Sequence, residues 1–238
     1  MKIALIGYGK MGKEIENIAL ERGHEIVLKS TSKTPQEEIA QKLLLADVAI
    51  EFSTPKSAVK NIYICFETNT PVVIGTTGWY DQYNEVKETC LKTNSTMLAA
   101  TNCSLGVNIF FEINKYLAKM MNNQPQYNVA VEEIHHIHKL DAPSGTAISI
   151  AEQIIENLDR KKHWKNELSE NTEDLEIISI REGEVPGTHK VVYSSDIDDI
   201  EIMHKAHNRK GFAQGAVVAA EFIAGKKGIF TMKDVLGL

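Results

Sequence analysis

Three histidines, a lysine and two glutamates crowd into one short stretch of this chain, Glu132-Glu133-Ile134-His135-His136-Ile137-His138-Lys139, and Leu140-Asp141-Ala142-Pro143-Ser144-Gly145-Thr146 follows at once. His135, His136 and His138 supply groups that titrate near neutrality, while Lys139 offers a positive charge and a proton to an acidic ligand. Asp-Ala-Pro-Ser-Gly-Thr predicts a turn followed by a helix start: Pro143 fixes φ, Ser144 serves as N-cap, and Gly145 lets a ligand approach the backbone. Free N–H groups at such a start suit a carboxylate or phosphate, at about 1.5–3 kcal/mol per charged hydrogen bond in a sheltered pocket. The stretch therefore sets proton transfer beside an anion cradle. Surface or core placement explains any one of these histidines alone but not the whole motif. A three-histidine metal site is disfavoured, because His135, His136 and His138 on an extended segment alternate faces and at most two converge; no metal is expected.

A second chemical feature opens the chain. The apolar run Ile3-Ala4-Leu5-Ile6 leads into Gly7-Tyr8-Gly9-Lys10-Met11-Gly12 and then into helical spacing at Ile15, Ile18 and Ala19. This is a complete G-x-G-x-x-G in strand–turn–helix context, in which Gly7 permits the tight turn, Gly9 leaves room for a pyrophosphate and Gly12 lets the helix pack closely. After the next strand, Glu25 to Lys29, the acid that normally holds the adenosine ribose is missing: Ser30-Thr31-Ser32-Lys33 stands there, and the nearest acid downstream is Glu37. Thr31 and Lys33, with Lys10 in the glycine turn, can hydrogen-bond a 2′-phosphate. The expected cofactor is NADPH and/or NADH, with NADPH accepted; a solvated loop is the alternative reading of 30–33.

The elements that must hold these groups alternate strand and helix through roughly the first hundred residues: Asp47 to Phe52, a helix from Pro55, then Pro71 to Gly75. This predicts an α/β fold with an N-terminal Rossmann-type, doubly wound parallel sheet. Gly75-Thr76-Thr77 lies just past a strand end, where ligands bind in open parallel sheets, and is assigned to the cofactor. Phe52-Ser53-Thr54-Pro55 holds the equivalent place after an earlier strand, with helix capping an equal alternative. Beyond Ala100-Thr101-Asn102-Cys103 a long helix, about Val107 to Met121, precedes strands at Val129–Ile134, Glu176–Ile180, His189–Tyr193 and Ile200–His204. These form a smaller α+β domain with a mostly antiparallel or mixed sheet, and the polar segment Asp159 to Asp174 is expected to be its exposed loop. An apolar helix, Gly215 to Ala224, and the tail 228–236 return to the first domain. The expected division is 1–104 with 209–238 for dinucleotide binding and 105–208 for substrate binding and oligomerisation. Apolar positions exposed on one face of that second sheet would account for an oligomer.

Composition narrows the class. A chain of 238 residues with net charge −6 and no long basic run is not built for nucleic acid as its main partner. The Lys-Lys pairs at 161–162 and 226–227 are too short to be more than solvated surface. Cys65, Cys90 and Cys103 lack metal-ligand spacing and are expected to be reduced and buried or half-buried. No apolar run approaches about 18 residues, and Met1-Lys2 opening directly into a strand leaves no room for a leader, so a cytoplasmic location without a membrane span is expected.

The residues also carry a family resemblance that runs end to end. Glu133-Ile-His135-His136-Ile-His138-Lys139-Leu-Asp141-Ala-Pro-Ser-Gly-Thr146 resembles the E-x-H-H-x-x-K-x-D-A-P-S-G-T signature of the 4-hydroxy-tetrahydrodipicolinate (dihydrodipicolinate) reductases of the diaminopimelate route to lysine. Gly7–Gly12, Gly75-Thr76-Thr77-Gly78, Asn102-Cys103-Ser104-Leu105-Gly106-Val107-Asn108 and His204-Lys205-Ala206 support it. The resemblance implies NAD(P)H-dependent reduction of a small cyclic dicarboxylate, with His135 and Lys139 catalytic, His136 and the Gly145-Thr146 backbone on the substrate carboxylates, Ala100 to Cys103 flanking the nicotinamide, and a homotetramer. Two positions depart from the family pattern: Cys103 stands where an aromatic is common, and Thr31 falls near the usual acidic position. A different nicotinamide dehydrogenase of amino or imino acids, or a non-catalytic nucleotide sensor, would share the glycine turn without requiring His135 and Lys139 beside Ser144-Gly145-Thr146.

Overall fold

Lys2–Ile6 (β1) is buried at four of its five positions, the mark of a strand covered on both faces. The computed structural model, which describes residues 1–238, continues with Lys10–Glu21 (α1), Glu25–Ser30 (β2), Gln36–Leu43 (α2), Val48–Glu51 (β3), Pro55–Glu67 (α3), Val72–Ile74 (β4), Tyr83–Lys92 (α4) and Thr96–Ala99 (β5). Leu105–Met121 (α5), Asn128–His135 (β6), Gly145–Asn157 (α6), His163–Lys165 (β7), Asp174–Arg181 (β8), Thr188–Ser194 (β9) and Asp199–Lys205 (β10) follow. Lys210–Ile223 (α7), Gly228–Phe230 (β11) and Met232–Leu236 (α8) close the chain. Two compact units result, Met1–Leu105 with Arg209–Leu238, and Gly106–Asn208.

In the first unit the strands run parallel in the order β11-β5-β4-β3-β1-β2. Successive residues of β1 point to opposite faces, so Ile3 and Leu5 pack with α1 and α7 while Ala4 and Ile6 pack with α2, α3 and α4. That is the doubly wound arrangement expected from the alternation. The tail does return to this sheet, as β11 pairs with β5. Helix α7 is rich in alanine because it lies very close to the backbone: a Cβ on Gly215 would stand 1.7 Å from the Cys103 carbonyl oxygen.

The second unit has a mixed sheet, β10-β9-β6-β8-β7, in which β6 pairs parallel with β8 and antiparallel with β9. Helices α5 and α6 cover one face through Phe110, Phe111, Ile150 and Ile154 against Val129, Val131, Ile177 and Val191. The other face alternates in register and carries Ala130, Ile134, Ile178, Ile180, Val192 and Met203 among charged Glu132, Lys190 and Glu201. Segment 159–174 is not the plain exposed loop its polarity suggests. It contributes edge strand β7, and Lys161 is buried rather than solvated, its Nζ donating to the carbonyls of Thr172 at 3.0 Å and Asp174 at 2.7 Å. Those carbonyls replace the water that the ammonium gives up.

Gly215→Ala sets two effects against each other. The change gains about 1 kcal/mol of helix propensity but forces the new methyl into the Cys103 backbone, at a cost of roughly 1–3 kcal/mol or more. Urea unfolding should therefore show net destabilisation; equal or higher stability would mean that α7 does not pack as described.

Candidate active site

The face of β6 that buries Val129 and Val131 carries Glu133 and His135 further along the same strand, so the core gives way to polar chemistry by simple alternation. Register places Glu133 opposite Ser179 on β8 and His189 on β9, with His135 opposite Arg181. Glu133, with no exposed surface, accepts the Ser144 N–H on both oxygens at 3.1 Å and the Ser179 hydroxyl at 2.7 Å, with Arg181 Nη2 at 3.3 Å. Burial opposes ionisation here, but His135, Ser144 and Ser179 outweigh it and hold this carboxyl far below the usual carboxylate range. His135 Nδ1 lies 3.3 Å from Glu133 Oε2, near enough for an ion pair but too poorly aligned for a full hydrogen bond.

Ser144 caps α6 as its position before an apolar helix suggests, its Oγ accepting from Ala147 N at 3.2 Å while also lying 3.2 Å from His189 Nε2. Burial, helped by neighbouring His135, lowers the His189 pKa to about 3, so this ring is neutral at physiological pH. Next to the cap, a Cβ on Gly145 would meet nothing within 4 Å, which leaves the helix start open to an anion, and half-buried Thr146 follows. Lys139 Nζ is held by Asp141 at 2.8 and 2.9 Å. Burial works against the Asp141 charge, but the Lys139 hydrogen bond and charge win and keep that carboxyl below its ordinary value.

The strand ends at His135, so the expected alternation of 135, 136 and 138 does not apply: the chain turns, with Lys139 N–H donating to the His136 carbonyl at 3.1 Å. His136 is half-buried and His138 exposed. A different trio, Glu133, His135 and His189, brings its donor atoms within 4.8 Å of one another, a grouping invisible in a motif-based reading because His189 comes from another strand. Its carboxylate is already engaged by Ser144 and Ser179, and the adjacent Arg181 guanidinium repels a cation.

In the first unit a cleft of about 800 Å³ is lined by Gly7, Tyr8, Gly9, Thr31, Glu37, Ser53 and Thr54 among others. Helix α1 starts at Gly9 with no side-chain cap, leaving its first N–H groups for a phosphate. A Cβ would lie 2.1 Å from the Phe52 carbonyl at Gly7 and 2.5 Å from the Gly7 carbonyl at Gly12, yet would meet nothing within 4 Å at Gly9. Two glycines are thus demanded by packing and the middle one leaves space, which fits a dinucleotide pyrophosphate. Thr31 lines the cleft, and its Oγ1 accepts the Lys33 N–H at 3.3 Å. Exposed Lys10 and Lys33 do not line it, and half-buried Met11 packs into the core instead. The cleft's cations are Lys56 and Lys60 of α3, one helical turn apart after Ser53-Thr54-Pro55, which charge counting around the second strand overlooks.

Gly75 has a packing cause: its Cβ would fall 2.0 Å from the Phe52 ring. Buried Thr76 accepts the Ser53 N–H at 2.8 Å, and Thr77 is exposed. Ala100 is buried, Thr101 is exposed, and Asn102 Oδ1 accepts the Ser104 N–H at 2.9 Å. The Cys103 thiol is sunk in the core and pushed up to about 12 by burial, so its side chain fills space; all three cysteines are free and buried.

Two family profiles divide the sequence: dihydrodipicolinate reductase N-terminus matches residues 1–103 and dihydrodipicolinate reductase C-terminus matches residues 106–236. The chain belongs to the dihydrodipicolinate reductase family. A 4-hydroxy-tetrahydrodipicolinate reductase of Christiangramia forsetii is 53% identical over 99% of this chain and 98% of its own length, and one from Methanoregula boonei is 35% identical over 97% and 92%. A solved dihydrodipicolinate reductase of Paenisporosarcina sp., bound to dipicolinate, superposes with a TM-score of 0.78 at 21% identity over 97% of both chains and shows the same fold. Dihydrodipicolinate reductases are pyridine-nucleotide-dependent oxidoreductases, in keeping with the parallel sheet and its glycine turn. No helix is long and apolar enough to cross a membrane.

Because the His189 pKa falls from 6.5 to about 3 on folding, the unfolded chain takes up a proton there that the folded one does not. Its contribution to stability is complete above pH 6.5 and is lost toward pH 3, by up to about 1.4 kcal/mol per unit. His204, also lowered by burial, adds in the same direction. In His189→Gln the slope of unfolding free energy between pH 6 and 5 should flatten; an unchanged slope would mean that His189 is charged in the fold.

Proposed function

We propose that the chain reduces 4-hydroxy-tetrahydrodipicolinate with NAD(P)H, giving tetrahydrodipicolinate with loss of water, in the diaminopimelate route to lysine. The observation that carries this reading is that His135 and the open start of α6 meet at the buried Glu133 carboxylate, with Lys139 on the intervening turn that Arg181 ties to that carboxylate. Family membership supports it throughout.

The residues divide the work by chemistry. Backbone N–H groups at Gly145 and Thr146 hold one substrate carboxylate, with His136 contributing to the same recognition, while Ser144 keeps the helix start in place. Bound nicotinamide supplies the hydride. Lys139, released from Asp141, gives a proton to ring C3 after C4 has accepted that hydride, and His135 polarises the ring or assists as acid/base. In the nucleotide domain, residues 1–104 and 209–238, Gly7 to Gly12 hold the pyrophosphate, Gly75 to Thr77 border it, and Ala100 to Cys103 present backbone to the nicotinamide. Thr31 with Lys56 and Lys60 supports acceptance of NADPH; Glu37 in the same cleft offers a ribose hydroxyl an acceptor, so NADH is used as well. The uncovered face of the second-unit sheet supports a homotetramer, read as an assembled mass by light scattering, and kinship with metabolic reductases supports a cytoplasmic location.

The direct test generates substrate from pyruvate and aspartate semialdehyde with the preceding synthase and follows loss of nicotinamide absorbance. Turnover should be seen with NADPH and with NADH; nucleotide binding without turnover would instead favour a sensor. Lys139→Ala should lower kcat by roughly 10²–10⁴-fold with NADPH binding near normal, and a fall of only a few-fold would remove Lys139 as proton donor. Replacing Lys56 and Lys60 together with Gln should weaken NADPH binding by roughly tenfold or more, at about 1.4 kcal/mol per decade, and leave NADH binding within about twofold. Equal losses for both nucleotides, read by fluorescence titration, would refute the 2′-phosphate role.

A further inference from the structure

Glu133 and Arg181 are charged, mutually paired and assigned no part in substrate binding, yet between them they reach His135, the Lys139–Asp141 turn and the Ser144 cap of α6. Glu133 has no exposed surface, and Arg181 keeps only 21% of its side chain exposed. An ion pair kept merely for stability is a poor use of a core position, since matched apolar residues do as well or better there. What the pair contacts is more specific than stability requires. One Glu133 oxygen takes Ser179 and Arg181, the other faces His135 Nδ1 at 3.3 Å and His189 Nε2 at 3.8 Å, and both accept the Ser144 N–H that begins α6. Arg181 reaches the other way, its Nη2 donating to the Asp141 carbonyl at 2.6 Å and its Nε to the Lys139 carbonyl at 3.4 Å.

We infer that Glu133 and Arg181 form a positioning pair that sets the tautomer of His135 and ties the Lys139–Asp141 turn to the helix that holds the substrate carboxylate. The ionised Glu133 can only accept, so its charge 3.3 Å from the ring favours the tautomer of His135 that carries its proton on Nδ1. Nε2 is then the basic nitrogen. Gly187 keeps that side free of a side chain, since a Cβ there would come within 3.1 Å of Nε2. His189 does not compete for the role: it is neutral, edge-on to His135 with ring centroids 5.1 Å apart, and engaged with the Ser144 hydroxyl. Arg181 neutralises the buried carboxylate and carries the same constraint to Lys139. The inference rests on the proposed reaction for its kinetic arm only.

The experiment uses the full chain labelled with ¹⁵N-histidine, with wild type, Glu133→Gln and Arg181→Lys compared at pH 8 without substrate or nucleotide; His135→Gln assigns the ring signals. Wild-type His135 should show protonated Nδ1 and unprotonated Nε2. Glu133→Gln, which can present an amide donor to the ring, should lose that preference, and in the coupled assay its kcat should fall roughly 10–100-fold with the NADPH dissociation constant within about twofold. Arg181→Lys keeps the charge but cannot span Glu133 and the turn, so it should keep the tautomer and lose kcat about tenfold. A merely structural role would move melting temperature but not the tautomer of the folded protein. The pair is overturned if folded Glu133→Gln retains the wild-type tautomer or keeps kcat within about threefold. If Glu133→Gln does not fold, Arg181→Lys decides, and full activity there overturns the coupling to Lys139. Failure of wild type to reduce the substrate would count against the proposed reaction alone, because the tautomer is read without it.

Discussion

A single fully buried carboxylate, Glu133, is the constraint around which the second unit is organised. Removing an ion from water costs several kcal/mol even after relaxation, and that cost is met only when every oxygen finds donors. Glu133 finds them at the start of α6 and on strand β8 at Ser179 and Arg181, while the rings of His135 on its own strand and His189 on β9 lie beside it at 3.3 and 3.8 Å. Of these, Ser144 caps α6 and Arg181 also reaches the carbonyls of Lys139 and Asp141. Satisfying the buried charge and assembling the site are therefore the same folding event. The apolar half of that sheet face, Val129, Val131, Ile177 and Val191, supplies the rigid floor that makes such a polar cluster tolerable.

The first unit solves a different problem with backbone rather than charge. Its glycines at 7 and 12 exist because carbonyls of Phe52 and Gly7 stand where a Cβ would go, and the close approach leaves helix α1 starting beneath an open Gly9. Its charge is exposed: Lys56, Lys60 and Glu37, all at the surface, line the same cleft. On the proposed reading, nucleotide choice depends on a modest, screened charge balance, and substrate recognition on a sheltered one.

The range of an interaction decides whether the sequence announces it. Ser144 as a cap, the parallel sheet and the return of the tail to it all depend on local patterns or on alternation along one strand, and they are found as expected. Partners fixed by register between distant strands left no local mark: Ser179, Arg181 and His189 meet Glu133 from 46, 48 and 56 residues away. The same holds for Lys161, which looks like solvated surface until two carbonyls close over it, and for Gly75, whose missing side chain answers to the Phe52 ring. Lys33 illustrates the opposite error, since proximity in sequence to the second strand did not place it in the cleft, while Lys56 and Lys60 reach it from another helix.

In the proposed binding mode the start of α6 and Lys139 meet the same small dicarboxylate ring. A crystal structure of the full chain with NADPH and pyridine-2,6-dicarboxylate would decide it. One carboxylate should sit on the Gly145 and Thr146 N–H groups, with Lys139 turned from Asp141 toward the ring and Glu133 still engaged by Ser144. A ligand bound away from α6, or one that occupies α6 while Lys139 stays on Asp141, would overturn that binding mode.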